Sequence, residues 1–436
     1  MSAAIQNAVK KALNEKTIWQ RVVTSTLDTI RPGAKALHPI LMPVFDRLSI
    51  HRVHKAVNIE DLRNAAQQRA HPMVYAYLDG GSGDERSLKR SVDSFSQLQW
   101  KHAVLHGIGN DGVNTETTIL GKKYAMPYFL TSCAGQRMFH ADGEVATAQA
   151  ANKHNLHMAL SQLTTSSFQE VRNAHEGAKT LQLYVWKDRA LLKDILDRAK
   201  EAGFENLALT ADFSWVGNRE REIRNDFTIP PSYSLQQCIA SLTRLPWAYD
   251  FASREPYRYQ AVPEAKFPAI SLAKFIAEQM KPEFNWTDAE WLCKEWGNQG
   301  KVVLKGVIRE DDAERAIKSG FDALWISNHG GRQLEDALSP IVQLPNIRDR
   351  VGSDVEIIVD GGIRRGSDVV KAIALGANSV AIGRAYLYGL TAGGYTGVDK
   401  ALQIINTDVK LTMGLMGYSS INNINGKNII VPRDWQ

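Results

Sequence analysis

From Pro127 onward the chain alternates short, almost continuously apolar runs with amphipathic stretches of ten or more residues. The apolar runs are PYFLTS (127–132), HMALS (157–161), LQLYV (181–185), LALTA (207–211), KVVLK (301–305), ALWIS (323–327), EIIVD (356–360) and SVAIG (379–383). Helical periodicity occupies 142–154, 167–175, 188–202, 310–319 and 366–375, and a helical tail follows the eighth run. Strands with no polar alternation are buried on both faces, and helices between them make neighbouring strands parallel. Eight such units predict an α/β fold, a (β/α)₈ TIM barrel. A doubly wound sheet would open on a G-x-G-x-x-G turn, whereas the first strand here runs into TSCAGQRMF.

Upstream, NIEDLRNAAQQRA (58–70) predicts a helix capped by Asn58, with Glu60 and Asp61 in its first turn. The rhythm fails once, over about 213–287, where RLPWAYDFASREPYRYQ is rich in aromatic and charged residues. A connection of that length inside a compact domain is read as a lid, a binding element or a partly disordered stretch. The chain thus divides into an N-terminal helical extension, 1–56, and a barrel, 57–436.

Composition narrows the class. With 44% hydrophobic and 23% charged residues the chain is an ordinary globular protein, and three scattered cysteines make neither a disulfide framework nor a zinc pattern. A reducing compartment is expected, and no membrane span or secretory signal is read. Charge is uneven: residues 1–58 hold nine Lys/Arg against three acids, a net of +6, leaving −1 for the rest of a chain whose total is +5. The barrel therefore carries no basic stripe of the kind nucleic acid requires. The extension, by contrast, sets Ile40, Leu41, Met42, Val44, Phe45, Leu48 and Ile50 beside Arg47, His51, Arg52 and Lys55. One reading is peripheral contact with an anionic inner membrane; the other is packing on the barrel or on a neighbouring subunit. Pro39 and Pro43 are expected to interrupt any single long amphipathic helix. The expected location is cytoplasmic or peripheral on the inner membrane, with a mitochondrial transit peptide the lesser reading because of Glu15 and Asp28.

Active sites of such barrels lie at the C-terminal strand ends. Read in order, those ends carry Ser132 and Cys133, Ser161, Gln182 and Tyr184, Thr210 and Asp212, Lys305, Ser327 and His329, Asp360, and Gly383 with Arg384. Lys305 closes an apolar strand, where an ammonium is costly unless paired or used. IIVDGGIRRG and SVAIGRA put glycines and arginines after strands seven and eight, a phosphate-binding arrangement. Asp360 and His329 come from adjacent strands and are expected to meet, the carboxylate raising the pKa of a proton-accepting imidazole. Arg332 offers a planar fork for a substrate carboxylate.

SNHGGRQ, preceded by LKGV and followed by DGGIRRG and IGR, resembles the FMN-dependent α-hydroxy-acid dehydrogenases and oxidases. PMVYAYLDGG, GNREREIRNDF and LTMGLMG are similar to further segments of that family, so the likeness runs from about Val57 to the C-terminus. The resemblance implies FMN, a small L-2-hydroxy acid of lactate or mandelate type as substrate, a quinone, cytochrome or oxygen as acceptor, and a homotetramer. It implies His329 as base oriented by Asp360, with Arg332 and Arg219 holding the carboxylate and Tyr77 and Tyr184 hydrogen-bonding the substrate. FMN is implied to rest on Ser132, Cys133, Ala134, Ser161, Gln182, Thr210, Lys305, Ser327 and Asp360. Its phosphate would meet Gly361, Gly362 and Arg364 with Gly383 and Arg384.

This sequence departs from the family in places. Ser132 and Cys133 stand where many members have Pro and Thr, Leu163 stands where plant glycolate oxidases have Trp, and the second glycine of NHGGRQ is commonly Ala, a change expected to be tolerated. Two rivals are another FMN barrel resembling type 2 isopentenyl diphosphate isomerase and a flavin-binding partner protein without turnover.

Overall fold

The computed structural model describes residues 25–26, 28–29, 31–109, 112–227, 235–255, 257–262 and 278–435. Residues 1–24 of the extension, and 228–234 and 263–277 of the long connection, lie outside the described residues. Eight parallel strands close into a barrel in sequence order: β1 (Tyr128–Leu130), β2 (Met158–Ser161), β3 (Lys179–Leu183), β4 (Asn206–Thr210), β5 (Val302–Val307), β6 (Ala323–Ile326), β7 (Glu356–Asp360) and β8 (Ser379–Ile382). Each falls on one of the eight apolar runs.

Two apolar layers account for strands that are hydrophobic throughout. Alternate side chains point outward and pack under the helices, as Leu181, Leu207 and Leu324 do; the others, Phe129, Ala159, Ala208, Val303, Trp325, Ile358 and Ala381, fill the barrel interior. A hairpin of Thr117–Ile119 with Lys122–Tyr124 adds Ile119, Leu120 and Tyr124 to that inner core. Leu120 N donates to Glu356 Oε1 at the start of β7, so the hairpin plugs the end of the barrel opposite the site.

The expected helices form at Ile59–Arg69, Gly143–Lys153, Phe168–Ala174, Arg189–Glu201, Glu310–Lys318 and Gly366–Ala374. Asn58 Oδ1 accepts from Asp61 N at 2.8 Å, the cap read from sequence. Helices at Pro72–Asp79, Arg86–Gln97 and Leu245–Ala252 went unread, as did Pro340–Val351 between β6 and β7, which has Pro345 inside it. The tail Arg384–Met416 bends at Gly393–Gly394, which leave helical geometry.

The extension corrects an expectation. Its backbone is helical over 31–45 through Pro39 and Pro43, and the bonds Asp46 N→Met42 O and Ile50 N→Asp46 O carry it into the helix Arg47–Lys55. Both prolines face outward, where the carbonyls they leave unpaired can reach water. The opposite face is anchored: Ser49 Oγ donates to Ala392 O, Phe45 packs edge-on to Tyr249, and Arg69, buried, holds Asp46 and Asp250 together. Among the described residues no helix is long and apolar enough to cross a membrane.

Candidate active site

The strand ends form one rim. Ser161 pairs in register with Gln182 and Thr210 with Lys305, and Gln182 Nε2 donates to Thr210 Oγ1 at 2.8 Å. Inside the rim lies a cavity of about 350 Å³, in the range of small-ligand sites. Of the residues singled out from sequence, Tyr77, Ser132, Cys133, Ala134, Gln182, Tyr184, Thr210, Arg219, Lys305, His329, Arg332, Asp360, Gly361, Gly362, Arg364, Gly383 and Arg384 line it. Ser161 and Ser327 do not. Each sits beneath the wall: Ser161 Oγ accepts from Leu163 N, and Ser327 Oγ accepts from both Lys305 Nζ and His329 N.

His329, Gly330 and Gly331 have φ of +57°, +64° and +72°, three successive left-handed residues that double the chain back over the rim. A Cβ on Gly331 would stand 2.5 Å from Leu88 N. The alanine expected to be tolerated there has no room, because the helix Arg86–Gln97 lies against the turn.

The partner of the imidazole also differs from expectation. Nδ1 of His329 is 3.0 Å from Asp212 Oδ1. Asp360 instead accepts from Trp325 Nε1 at 3.0 Å and lies 3.4 Å from Lys305 Nζ, so it points into the barrel rather than along the rim. Asp212 follows β4, two strands from β6, and reaches His329 by crossing β5 at Gly306. Gly306 has φ +99° and sits within a register shift between Lys305 and Val307; a Cβ there would meet Asp212 Cγ at 2.6 Å. A single missing side chain therefore lets the carboxylate through.

The electrostatics follow from this geometry. Burial pulls the imidazole below its ordinary pKa against the opposing pull of Asp212, so the carboxylate does not produce the net rise expected of it. Burial pushes the Asp212 carboxyl up, but His329 and Lys305 outweigh it and hold the group ionised. A carboxylate accepts only, so the proton of the neutral ring sits on Nδ1 and Nε2 is left bare to take another.

Two guanidiniums share one acid. Arg332 Nη2 donates to Glu222 Oε1 at 2.8 Å, and Arg219 Nη1 lies 3.9 Å from the same oxygen. Arg332 Nη1 is held by the carbonyls of Tyr77 and Gly80, and its plane covers the Tyr77 ring at 4.5 Å. Burial, with Arg332 as neighbour, depresses Arg219 to about 10. An anion entering between them would relieve that excess of positive charge. Burial pushes the Tyr77 and Tyr184 phenols up, so both stay protonated donors at neutral pH. It likewise lifts the Cys133 thiol to about 11, which keeps it uncharged.

A flavin mononucleotide fits the donor set on the other side of the cavity. Thr131 Oγ1 and Asp360 Oδ1 are buried against the site with no partner, and Gly361 and Gly362 follow β7 at φ +93° and +84°. Beside them the Arg364 guanidinium has one hydrogen bond, to its neighbour Ile363 O. The Arg384 guanidinium donates once from each nitrogen, to Leu78 O, Gly330 O and Gly80 O, which leaves one N–H on each terminal nitrogen for a phosphate beside Gly383. Thr131 could bind ring atoms, and 361–364 a phosphate, at the strand ends where barrels accept one.

Sequence reasoning missed the apolar wall. Phe139, Phe213, Val216, Phe227, Tyr259 and Met280 line the cavity with Leu163, and all but Phe139 and Leu163 come from the long connection after β4, as do Arg219 and Glu222. Tyr77 stacks on Phe227 at 4.5 Å, and Phe213 leans on both Tyr184 and His329. The aromatic-rich stretch read as a lid or binding element thus contributes a wall of the site.

Barrel, phosphate-ready strand ends and a partly buried imidazole–carboxylate pair define a flavin-barrel oxidoreductase. The chain belongs to the FMN-dependent dehydrogenase family, which it matches over residues 66–431. It is 35% identical over 379 residues to an L-lactate oxidase of Nostoc sp., covering 85% of this chain and 97% of that protein. It is 34% identical over 374 residues to an L-lactate dehydrogenase of Vibrio parahaemolyticus, covering 85% and 97%. Its structure is similar to that of a monotopic membrane protein, (S)-mandelate dehydrogenase, with a TM-score of 0.81, 33% identity, and coverage of 86% of this chain and all of that one.

Proposed function

We propose that this FMN-dependent enzyme oxidises L-2-hydroxy acids, from lactate to mandelate in size, to 2-keto acids, and passes the electrons to a quinone, a cytochrome or oxygen. The observation that carries this reading is the pair of partly buried guanidiniums, Arg219 and Arg332, sharing one carboxylate beside an imidazole whose Nδ1 is already committed to Asp212. The arginines hold the substrate carboxylate and set the carbinol carbon toward His329. Nε2 of His329 takes the proton that leaves the carbinol centre, and Asp212 stabilises the imidazolium so formed. Tyr77 and Tyr184 donate to the substrate's oxygens.

FMN, when bound, supplies the two-electron sink for this oxidation. Thr131, the 132–134 backbone, Gln182, Thr210 and Lys305 would hold its ring and Gly361, Gly362 and Arg364 its phosphate. Lys305, kept in place by Ser327 and Asp360, offers positive charge where negative charge develops. Ser327 therefore supports the site through Lys305 and His329, and Ser161 through Leu163. The apolar wall, with Leu163 in place of a bulkier aromatic, favours lactate and larger acids over glycolate.

The test is product formation by FMN-loaded protein with a soluble dye as acceptor. L-Lactate and L-mandelate are expected to yield 2-keto acid, and their D-enantiomers none. No keto acid from any L-2-hydroxy acid, or equal yields from both enantiomers, would reject the proposal. The rival isomerase chemistry has no use for two paired arginines beside a base, and would give neither product nor dye reduction.

A further inference from the structure

The N-terminal helical segment has an outer face that neither the site nor the barrel uses. Leu37, Ile40, Val44 and Leu48 recur at three- and four-residue spacing along residues 31–55, and their exposures are 49%, 66%, 67% and 68%. Such spacing lines them up on one side of a helix. His51 and Lys55 continue the same line one and two turns on, and Arg47 and Arg52 flank it. Arg47, Arg52 and Lys55 are exposed and have no acidic partner among the described residues. The segment's acids are already taken: Asp28 pairs with Arg31, and Asp46 is held inward by Arg69.

This stripe is held rigidly outward. Met42, Asp46, Ser49 and Val53 are buried beneath it, and Tyr249 OH donates to Ala34 O while Asp250 contacts His38 and Arg69. Exposed apolar side chains bordered by unpaired bases, on a helix whose other face is fixed to a globular body, suit an interfacial surface: apolar groups enter the acyl boundary and the bases meet lipid phosphates.

We infer that residues 31–55 dock this protein on an anionic lipid surface, through Leu37, Ile40, Val44 and Leu48 with Arg47, Arg52 and Lys55. Charge selects this occupant. The stripe is bounded by cations that have no counter-charge among the described residues, whereas a second copy would bring the same cations face to face with them. This surface is distinct from the catalytic cavity, so the inference stands apart from the reaction proposed for it.

The experiment uses the full-length FMN-loaded protein and sedimentation with vesicles of phosphatidylcholine alone or mixed with phosphatidylglycerol. Wild type is expected to pellet with the anionic vesicles at low salt, to be released by added salt, and to stay in solution with phosphatidylcholine. Arg47→Glu/Arg52→Glu/Lys55→Glu should weaken binding by at least about a hundredfold, since each base near such a surface contributes about fivefold and reversal of its charge adds repulsion. Ile40→Glu/Val44→Glu should also abolish pelleting. Both variants change only exposed side chains, and turnover with a soluble dye should equal that of wild type, which verifies folding independently of binding. Wild type remaining in the supernatant, or either folded variant pelleting as well as wild type, overturns the inference. So does a stripe variant whose sedimentation coefficient without vesicles differs from wild type, because the face would then be a subunit interface. The salt and lipid dependence of wild type alone decides the matter should a variant not fold.

Discussion

Replacing Asp212 by Asn removes one negative charge and almost nothing else from the site. The carboxylate lies 3.0 Å from His329 Nδ1, with its second oxygen buried and unpartnered. When Nε2 takes a proton, the imidazolium and carboxylate charges stand roughly 4 Å apart, and at an effective dielectric constant near 20 their attraction is about 4 kcal/mol. Loss of most of that in the transition state slows proton transfer by on the order of a thousandfold. An Asn that donates to Nδ1 would also shift the ring proton to Nε2 and block the base outright. Rapid-mixing measurement of FMN reduction under anaerobic conditions gives the rate directly, and the bound flavin's absorbance shows whether the site has kept its cofactor. The pH profile provides a second readout. The neutral imidazole is the active base, so kcat/KM falls as pH drops through the His329 pKa, which burial sets below the ordinary imidazole value. Asp212 is the group that opposes this depression, so Asp212→Asn should move the acid limb to still lower pH. Reduction within about fivefold of wild type, with an unmoved acid limb, would refute the role of Asp212 as the group that orients and stabilises the base.

Arg332→Lys should retain FMN but raise the substrate KM by about ten- to a hundredfold, because an ammonium cannot present two parallel donors to a carboxylate; steady-state kinetics with a dye acceptor reads the split between KM and kcat. Leu163→Trp narrows the apolar wall, and the ratio of kcat/KM for mandelate to that for lactate should fall by roughly tenfold or more; an unchanged ratio would remove Leu163 from the specificity wall. Arg69→Met leaves Asp46 and Asp250 buried without their shared cation and should cost about 3–5 kcal/mol in denaturant unfolding, whereas a loss below about 1 kcal/mol would contradict the network.

The barrel was legible because its signal is local. Strands such as Leu207–Leu209 and Ile357–Val359 are apolar on both faces, and the helices between them carry their caps and periodicity in the sequence. Residues at strand ends were legible for the same reason: given the order of strands, the rim follows. What lay beyond reach was the direction of side chains across the rim. Asp360 and His329 come from neighbouring strands, and nearest-strand reasoning paired them, but Trp325 draws Asp360 inward. Asp212 reaches His329 over Gly306, a path that depends on a bulge within β5. The helix Pro340–Val351 was hidden by a proline that its context accommodates, and Pro39 and Pro43 were overread in the opposite sense. The apolar wall from Phe213 to Met280 has no periodicity of its own and acquires meaning only once the long connection lies against the cavity.

The central claim is that His329 is the base that a clamped 2-hydroxy acid meets. The most direct measurement compares wild type and His329→Gln, both loaded with FMN and mixed anaerobically with L-lactate or L-mandelate. Wild type should lose its flavin absorbance in a single turnover and release one 2-keto acid per flavin, while His329→Gln should bind FMN and substrate and stay oxidised. Bleaching of His329→Gln at the wild-type rate would contradict the account.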